Sequence, residues 1–312
     1  FVKTNQGIDI VKIPFGLSKK PITTFDVALP ITHGNKGEDG SLQGMFEMLD
    51  IPYGSSNVGA AAVSMDKVMT KYILTSLDIP VVAYVAFYKY EWLGKEKAWI
   101  ERIEEKLAYP MIVKPASGGS SIGVTKAKNK SELIDAVDLA ISMDERVLVE
   151  RMVESIREIN CSVLGDIEHA ETSFLEEPVA NSEILSFNDK YMGNQSKGMV
   201  SAKREIPAKI TEAMQEKIED YSLQVFKAFG CSGVVRIDYI IDASTEEVFF
   251  NEMNTIPGSL SFYLWEPKGK SYKELLTDII KIAMQRFKRK ADLSYSFNNN
   301  LFQVNNLDGL KK

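Results

Sequence analysis

Short apolar runs alternate along the chain with amphipathic stretches, and the spacing of apolar positions separates strands from helices. FDVALPITHG (25–34) is a nearly continuous apolar run into a glycine turn and predicts a buried strand. Residues 41–49 carry apolar positions at helical spacing and predict a helix. IPYGSS predicts a short strand and turn. SMDKVMTKYILTSLD (64–78) predicts an amphipathic helix with Ser64 as its N-cap. Next come a strand in IPVVAYVAFY, a helix over 99–107, a strand in YPMIVKP, a serine-capped helix over 131–142 and a strand in RVLVERMV.

From Glu158 the pattern turns β-rich, with strands in REINCSVLGD and HAETSFLEEP. Residues 181–204 are polar and weakly periodic; a stretch of that length in a compact protein is usually functional or mobile. A long amphipathic helix is predicted over 210–230. VVRIDYIID and EVFFNEMN flank a DASTEE turn and predict a hairpin. A last helix covers 271–288, and the Asn-rich tail beyond Lys290 is expected to be loose. No internal repeat is present. Mixed elements in uneven order predict α+β domains stacked around a cleft.

Composition narrows the class. The chain has 312 residues, 45% hydrophobic and 26% charged, which suits a soluble globular protein of two or three domains. A formal net charge of −6 argues against broad nucleic-acid binding but leaves room for a locally positive cleft. Cys161 and Cys231 lie in apolar surroundings and are expected as buried free thiols of a reducing compartment. No apolar run has the length of a membrane span. The chain begins at Phe1 without a signal-peptide pattern, and an upstream part is expected.

The candidate chemistry starts at KPASGGSSIG (114–123). A lysine beside glycines and serines suits a phosphate-cradling loop, because successive backbone N–H groups can approach an oxyanion. A polar turn between strands accounts for the same residues equally well. Glu252 and Asn254, two apart on a strand, share a face, and a neighbouring strand can bring Asp238 alongside. Three oxygen-bearing side chains interrupting apolar strands suit a hard cation such as Mg²⁺ better than a solvated polar face. Arg236 shares the face of Asp238, either to stabilise developing negative charge or as an ion-pair partner of the acids. NTIPG (254–258) leaves the strand through a turn able to offer N–H groups to an anion. VLVE (147–150) has the look of an edge or linker strand, where Glu150 by itself reads best as a surface acid.

Taken together, HGNKGEDGSLQG (33–44), SMDKVMTK (64–71), KPASGGSSIG, KY (190–191), RID (236–238) and NEMNTIPG (251–258) resemble the D-alanine–D-alanine ligase family of the ATP-grasp superfamily. The resemblance runs from about Phe25 to Lys288. It implies an ATP-grasp fold with a Rossmann-like N-terminal domain that is incomplete in this chain. The implied domains are 1–63 for substrate, 64–150 central, and 151–290 with metal site and lid, followed by a tail over 291–312.

The implied activity is ATP-dependent joining of two D-alanines through an acylphosphate, for peptidoglycan precursors, in the cytoplasm. ATP and two Mg²⁺ or Mn²⁺ are the implied cofactors. The partners are small molecules, without nucleic acid or membrane, and a homodimer is possible.

By the match, Lys67 and Lys114 contact phosphate, Ser120 anchors a closing loop, and Ser121 lies beside it. Glu150, Met152 and Val153 form the adenine-side hinge, and Glu158 meets the ribose at a spacing slightly wider than the family's. Lys190 sits near the γ-phosphate and Tyr191 meets Ser120. Asp238, Glu252 and Asn254 hold metal, while Arg236 and Gly258 form the oxyanion site. His33, Tyr263 and Leu264 border the substrates. Two departures stand out. Nothing before Phe25 supplies the family's substrate-orienting glutamate, and Tyr263 occupies the place of an acceptor-binding serine. The alternatives are a ligase with D-serine, D-lactate or another acceptor, or an idle ATP-grasp-like binding protein.

Overall fold

A computed structural model describes residues 2–4, 7–11, 21–119, 122–178 and 204–293. In chain order the elements are β1 (Val2–Thr4), β2 (Gly7–Val11), β3 (Pro21–Phe25), α1 (Ser41–Met48), α2 (Val58–Met65) and α3 (Lys67–Ser76). Then follow β4 (Tyr84–Tyr88), α4 (Lys89–Trp92), α5 (Glu96–Lys106), β5 (Met111–Pro115), β6 (Thr125–Ala127), α6 (Lys130–Met143) and β7 (Arg146–Arg151). The last part holds β8 (Ile156–Gly165), β9 (Ala170–Thr172), β10 (Glu177–Pro178), β11 (Arg204–Glu205), α7 (Glu212–Ala228), β12 (Gly233–Asp242), β13 (Val248–Asn254), α8 (Phe262–Trp265) and α9 (Tyr272–Ala291).

Two four-stranded antiparallel sheets carry the molecule, in the orders β4-β7-β5-β6 and β13-β12-β8-β9. The first packs on α5 and α6 through a core of Trp92, Ile103, Leu133, Val137 and Val149. The second packs on α7 through Val225, Phe226, Ile237, Tyr239 and Phe250. Alternation on β12 explains that division of labour. Ile237, Tyr239 and Ile241 enter the core, which leaves Arg236, Asp238 and Ile240 on the opposite face. The faces of α2 and α3 that carry Ala60 and Leu74 also pack into this second core.

Several local expectations are corrected. The strand foreseen over 25–34 does not form: β3 ends at Phe25, and beyond it only Ala28 pairs, in a parallel bridge to Tyr53. The helix foreseen from Ser64 is two helices. Ser64 lies in the last turn of α2, and the cap of α3 is Asp66, whose carboxylate accepts from the N–H groups of Val68 and Met69. Asn129 and not Ser131 caps α6. The 146–151 strand is not an edge: β7 pairs with β4 on one side and β5 on the other. The expected hairpin is present as β12–β13, and the last helix carries a capping box of Ser271 and Glu274. Cys161 and Cys231 are free and buried, and burial pushes both thiols up to about 12. Among the described residues no helix is long and apolar enough to cross a membrane.

Candidate active site

A cleft opens between the α2–α3 region, the glycine loop after β5, and β13. Lys67, Lys71, Gly118, Gly119, Glu252 and Asn254 are among the residues that line it.

The hairpin wall follows from register. Asp238 pairs directly with Glu252, and Arg236 with Asn254, so all four side chains share one face. A bulge between Asp238 and Tyr239 shifts the pairing, and Tyr239 then faces Phe250. Arg236 donates from Nε and Nη2 to the two Asp238 oxygens, both at 2.7 Å. The Asp238 charge raises the Arg236 guanidinium well above its ordinary value, against burial that alone would lower it. Asn254 Nδ2 donates to Asp238 Oδ2 at 3.1 Å; a half-turn of that amide presents its oxygen instead. Two carboxylates and an amide set side by side are a hard-oxygen donor set, so these residues fit a divalent cation. The ion-pair reading of Arg236 also holds, since its fork grips Asp238.

The lysine wall comes from α3 and β5. Lys67 and Lys71 are one helical turn apart and share a face. Lys67 Nζ donates to the Gly118 carbonyl at 2.6 Å, and its backbone N–H to the Ala116 carbonyl at 2.9 Å, which ties α3 to the glycine loop. Burial lowers the Lys67 ammonium from its ordinary value, partly opposed by the Glu252 charge. Gly118 has φ +111°, a conformation that favours glycine.

Glu150, foreseen as a surface acid, is buried in the central strand β7. Its oxygens meet Lys71 Nζ at 2.6 Å and Lys114 Nζ at 2.5 Å. Burial alone would raise this carboxyl, but the Lys114 and Lys71 charges outweigh it and hold the pKa at about 2. Beyond it, the Met152 N–H donates to the Pro110 carbonyl, and Val153 packs with Val82 and Phe249. Ile240 joins that cluster and pairs with both Glu158 and Phe249, so the ribose candidate lies on the same face as the hinge residues.

His33 reaches the site from the N-terminal segment. Its Nδ1 is 3.7 Å from Glu38 Oε1, and the Gly34 N–H donates to Glu38 Oε2 at 2.6 Å. The nearby Glu38 carboxylate raises the imidazole, burial opposes it, and the Ile256 backbone adds to the rise. The NTIPG turn is therefore next to His33. Gly40, in the GEDG stretch, has φ +89°, and a Cβ there would come 2.8 Å from the Val58 carbonyl oxygen.

Gly258 opens a short 3-10 turn in which Ser259, Leu260 and Ser261 all have φ near +52°. Tyr263 follows, and its hydroxyl meets the buried Glu176 carboxylate at 3.3 Å. Arg204 lies 4.2 Å above the Tyr263 ring centre and 3.4 Å from the other Glu176 oxygen. Leu264 is fully buried in the core with Trp265 and Ile279, so its side chain does not face the cleft. Ser120, Ser121, Lys190 and Tyr191, together with nearly all of the foreseen lid over 181–204, lie outside the described residues.

The structure thus gathers Lys67, Glu252 and Asn254 about one cleft, with Arg236 and Asp238 beside them on the hairpin, and pairs Lys114 with Glu150. The sequence reading gave no role to Lys71, Glu38, Glu176, Arg204, Ile240 or Phe249. Two signals were legible: Lys71 stands four residues after Lys67, and Ile240 continues the 236–238 alternation.

Two antiparallel sheets that hold a lysine- and acid-lined cleft between them make this an ATP-grasp protein. The D-alanine–D-alanine ligase from Coxiella burnetii shares the fold with a TM-score of 0.72 at 29% identity, over 86% of this chain and 70% of that one. VanG D-Ala:D-Ser ligase from Enterococcus faecalis matches with a TM-score of 0.72 at 32% identity, over 85% and 74%. Family models described as D-ala D-ala ligase N-terminus and C-terminus match residues 9–56 and 73–281. A D-alanine–D-alanine ligase of Acetivibrio thermocellus is 41% identical over 266 residues, 84% of this chain and 69% of that protein. One from Thermosipho africanus is 39% identical over 281 residues, 90% and 74%. The chain belongs to the D-alanine–D-alanine ligase family.

Proposed function

We propose that the protein joins two D-alanines at the expense of ATP, through an acylphosphate. The observation that carries this reading is the Asp238–Glu252 pair, set in register with Arg236 and Asn254 and opposite Lys67 across one cleft. The carboxylate of the first D-alanine attacks the γ-phosphorus; ADP leaves and an acylphosphate forms. The amine of the second D-alanine attacks that carbonyl, phosphate leaves with the bonding pair, and the amine loses a proton.

Lys67 and Lys114 are the phosphate-binding cations, and the N–H groups of the glycine loop add dipoles of the same sense. Lys190 is assigned to the γ-phosphate, and Ser120, Ser121 and Tyr191 to loop closure, on the family match alone. Val153, Phe249 and Ile240 supply an apolar wall suited to adenine, with Met152 and Glu150 at the hinge and Glu158 at the ribose. Arg236 and the Gly258 N–H stabilise the tetrahedral oxyanion. His33 and Glu38 border the first substrate. Asp238, Glu252 and Asn254 would hold Mg²⁺ or Mn²⁺, two ions by the family match, which neutralise phosphate charge when bound.

The division into units at 1–63, 64–150, 151–290 and 291–312 is supported by the separate sheet cores, although α3 packs on the core of the third unit. The chemistry calls for a soluble cytoplasmic enzyme with small-molecule partners, neither nucleic acid nor membrane; a homodimer fits equally with this reading.

A second acceptor, D-serine, is favoured by one observation. Tyr263 replaces the serine of the family pattern, and its hydroxyl is turned to Glu176. Phosphate release from ATP with a panel of D-amino and D-hydroxy acids, with products identified by mass, tests both. D-alanyl-D-alanine as main product supports the first reading, and a mixed D-alanyl-D-serine product the second. No phosphate release with any acceptor defeats both.

A further inference from the structure

We propose that Lys71 is a positioning residue for the nucleotide: it neutralises Glu150 and so leaves the charge of Lys114 to a phosphate. This deepens the ligase reading and rests on Lys114 facing phosphate.

Two lysines grip one carboxylate, Lys71 from α3 and Lys114 from β5. The trio carries a net charge of one cation. The two lysines differ in depth. The Lys71 side chain is 5% exposed and the Lys114 side chain 17%. Lys71 is fixed further by the Val82 carbonyl at 3.4 Å and by the Tyr84 ring, 5.1 Å from its ammonium. Lys114 is the more open partner, at the head of the glycine loop.

A buried carboxylate requires a counter-charge, because desolvation without one costs several kcal/mol. With Lys71 in place, Glu150 keeps a cation when Lys114 turns to phosphate. Without Lys71, phosphate and Glu150 compete for Lys114, and nucleotide affinity falls by the energy of that competition. Neither lysine alone does both tasks.

The test is Mg²⁺–ADP binding to the full chain by calorimetry, in wild type, Lys71→Met and Lys71→Arg. Lys71→Met should weaken ADP on the order of tenfold, the usual scale of coupling between adjacent charges. Lys71→Arg keeps the cation beside Glu150 and should recover most of that loss. In Lys71→Met, ADP affinity should also improve as pH falls, since protonating Glu150 frees Lys114. Wild type should show no such gain, because its Glu150 stays ionised.

A role in packing alone predicts none of this pH dependence. Equal affinity in Lys71→Met and wild type overturns the proposal. Lys71→Arg as weak as Lys71→Met also overturns it, since the charge beside Glu150 would then not be what matters. If Lys71→Met does not fold, Lys71→Gln is read in its place: a loss that shrinks as pH falls supports the proposal, and wild-type affinity rejects it. Wild type that does not bind ADP overturns the ligase reading itself, and this inference with it.

Discussion

Glu252 stands directly across β12–β13 from Asp238, and its charge reaches Lys67. Its replacement by glutamine keeps shape and removes charge. Glu252→Gln should abolish phosphate release, with the folded circular-dichroism spectrum unchanged; near-normal turnover at ordinary Mg²⁺ would exclude it from the metal site. Tyr263 has a different task from the serine it replaces. Its ring supports Arg204 and its hydroxyl meets Glu176, which also accepts from Asn160 Nδ2 at 3.3 Å. Tyr263→Phe leaves the buried Glu176 short of a donor and should lower stability by about 1–2 kcal/mol, with the acceptor KM within about threefold of wild type. Thermal unfolding and steady-state kinetics check this. An acceptor-specific rise well beyond that range shows the hydroxyl serving substrate instead.

At the scale of elements, caps decide where the phosphate lysines stand. Asp66 starts α3, pairs with Arg146 of β7, and places Lys67 as the first helical residue. Asp66→Ala should therefore cost about 1–2 kcal/mol from the lost cap and weaken ATP binding with it. Ser64→Ala, which removes only a hydroxyl bonded to the Ala61 carbonyl, should stay within about 0.5 kcal/mol in the same unfolding assay. The turn after Gly258 stores strain. Ser259, Leu260 and Ser261 sit in the left-handed region, which disfavours side-chain-bearing residues. Ser259 is exposed, so Ser259→Gly relieves that strain without opening a cavity and should raise stability by up to about 1 kcal/mol. A lower melting temperature would show that the serine side chain contributes more than the strain costs.

Across the whole molecule, the Lys71–Glu150–Lys114 trio joins α3, which packs on the second sheet's core, to strands of the first sheet. The Glu150 carboxyl is held below its ordinary 4.5, at about 2. A depressed carboxylate adds stability that is fully present above its unfolded pKa and is lost as pH falls through the folded one. Acid unfolding should therefore steepen as pH drops from 4.5 toward about 2. Glu150→Gln should flatten that part of the profile, as followed by tryptophan fluorescence. An identical acid limb in the variant would show that the trio does not link stability to pH. Arg286 of α9 donates to the Ser55 and Tyr53 carbonyls and stacks on Tyr53. That contact docks the N-terminal segment, with His33 and Glu38, against the helix that packs on Leu164 and Val234 of the second sheet.

The amino-acid sequence by itself determined the metal-and-oxyanion face, because strand alternation is a local rule. Residues 236 and 238 share a face wherever β12 lies, and so do 252 and 254. It also determined the family, since the HG, GEDG, MDK, glycine-loop and NEMNTIPG stretches stand in a specific order. Local chemistry misled at the cap of α3, where serine and aspartate two residues apart are both good caps; the Asp66–Arg146 pair and the packing of α2 decided between them. Tertiary structure alone decided the fate of Glu150. An acid after three apolar residues reads as a strand end on the surface, and only pairing on both sides of β7 buries it. Burial then demands cations, and these come from Lys71 and Lys114, 79 and 36 residues earlier in the chain. Tyr263 was undecided for the same reason. A tyrosine in SLSFYLWEP can face substrate or turn away, and the choice fell to Glu176 and Arg204, which approach from segments far off in sequence.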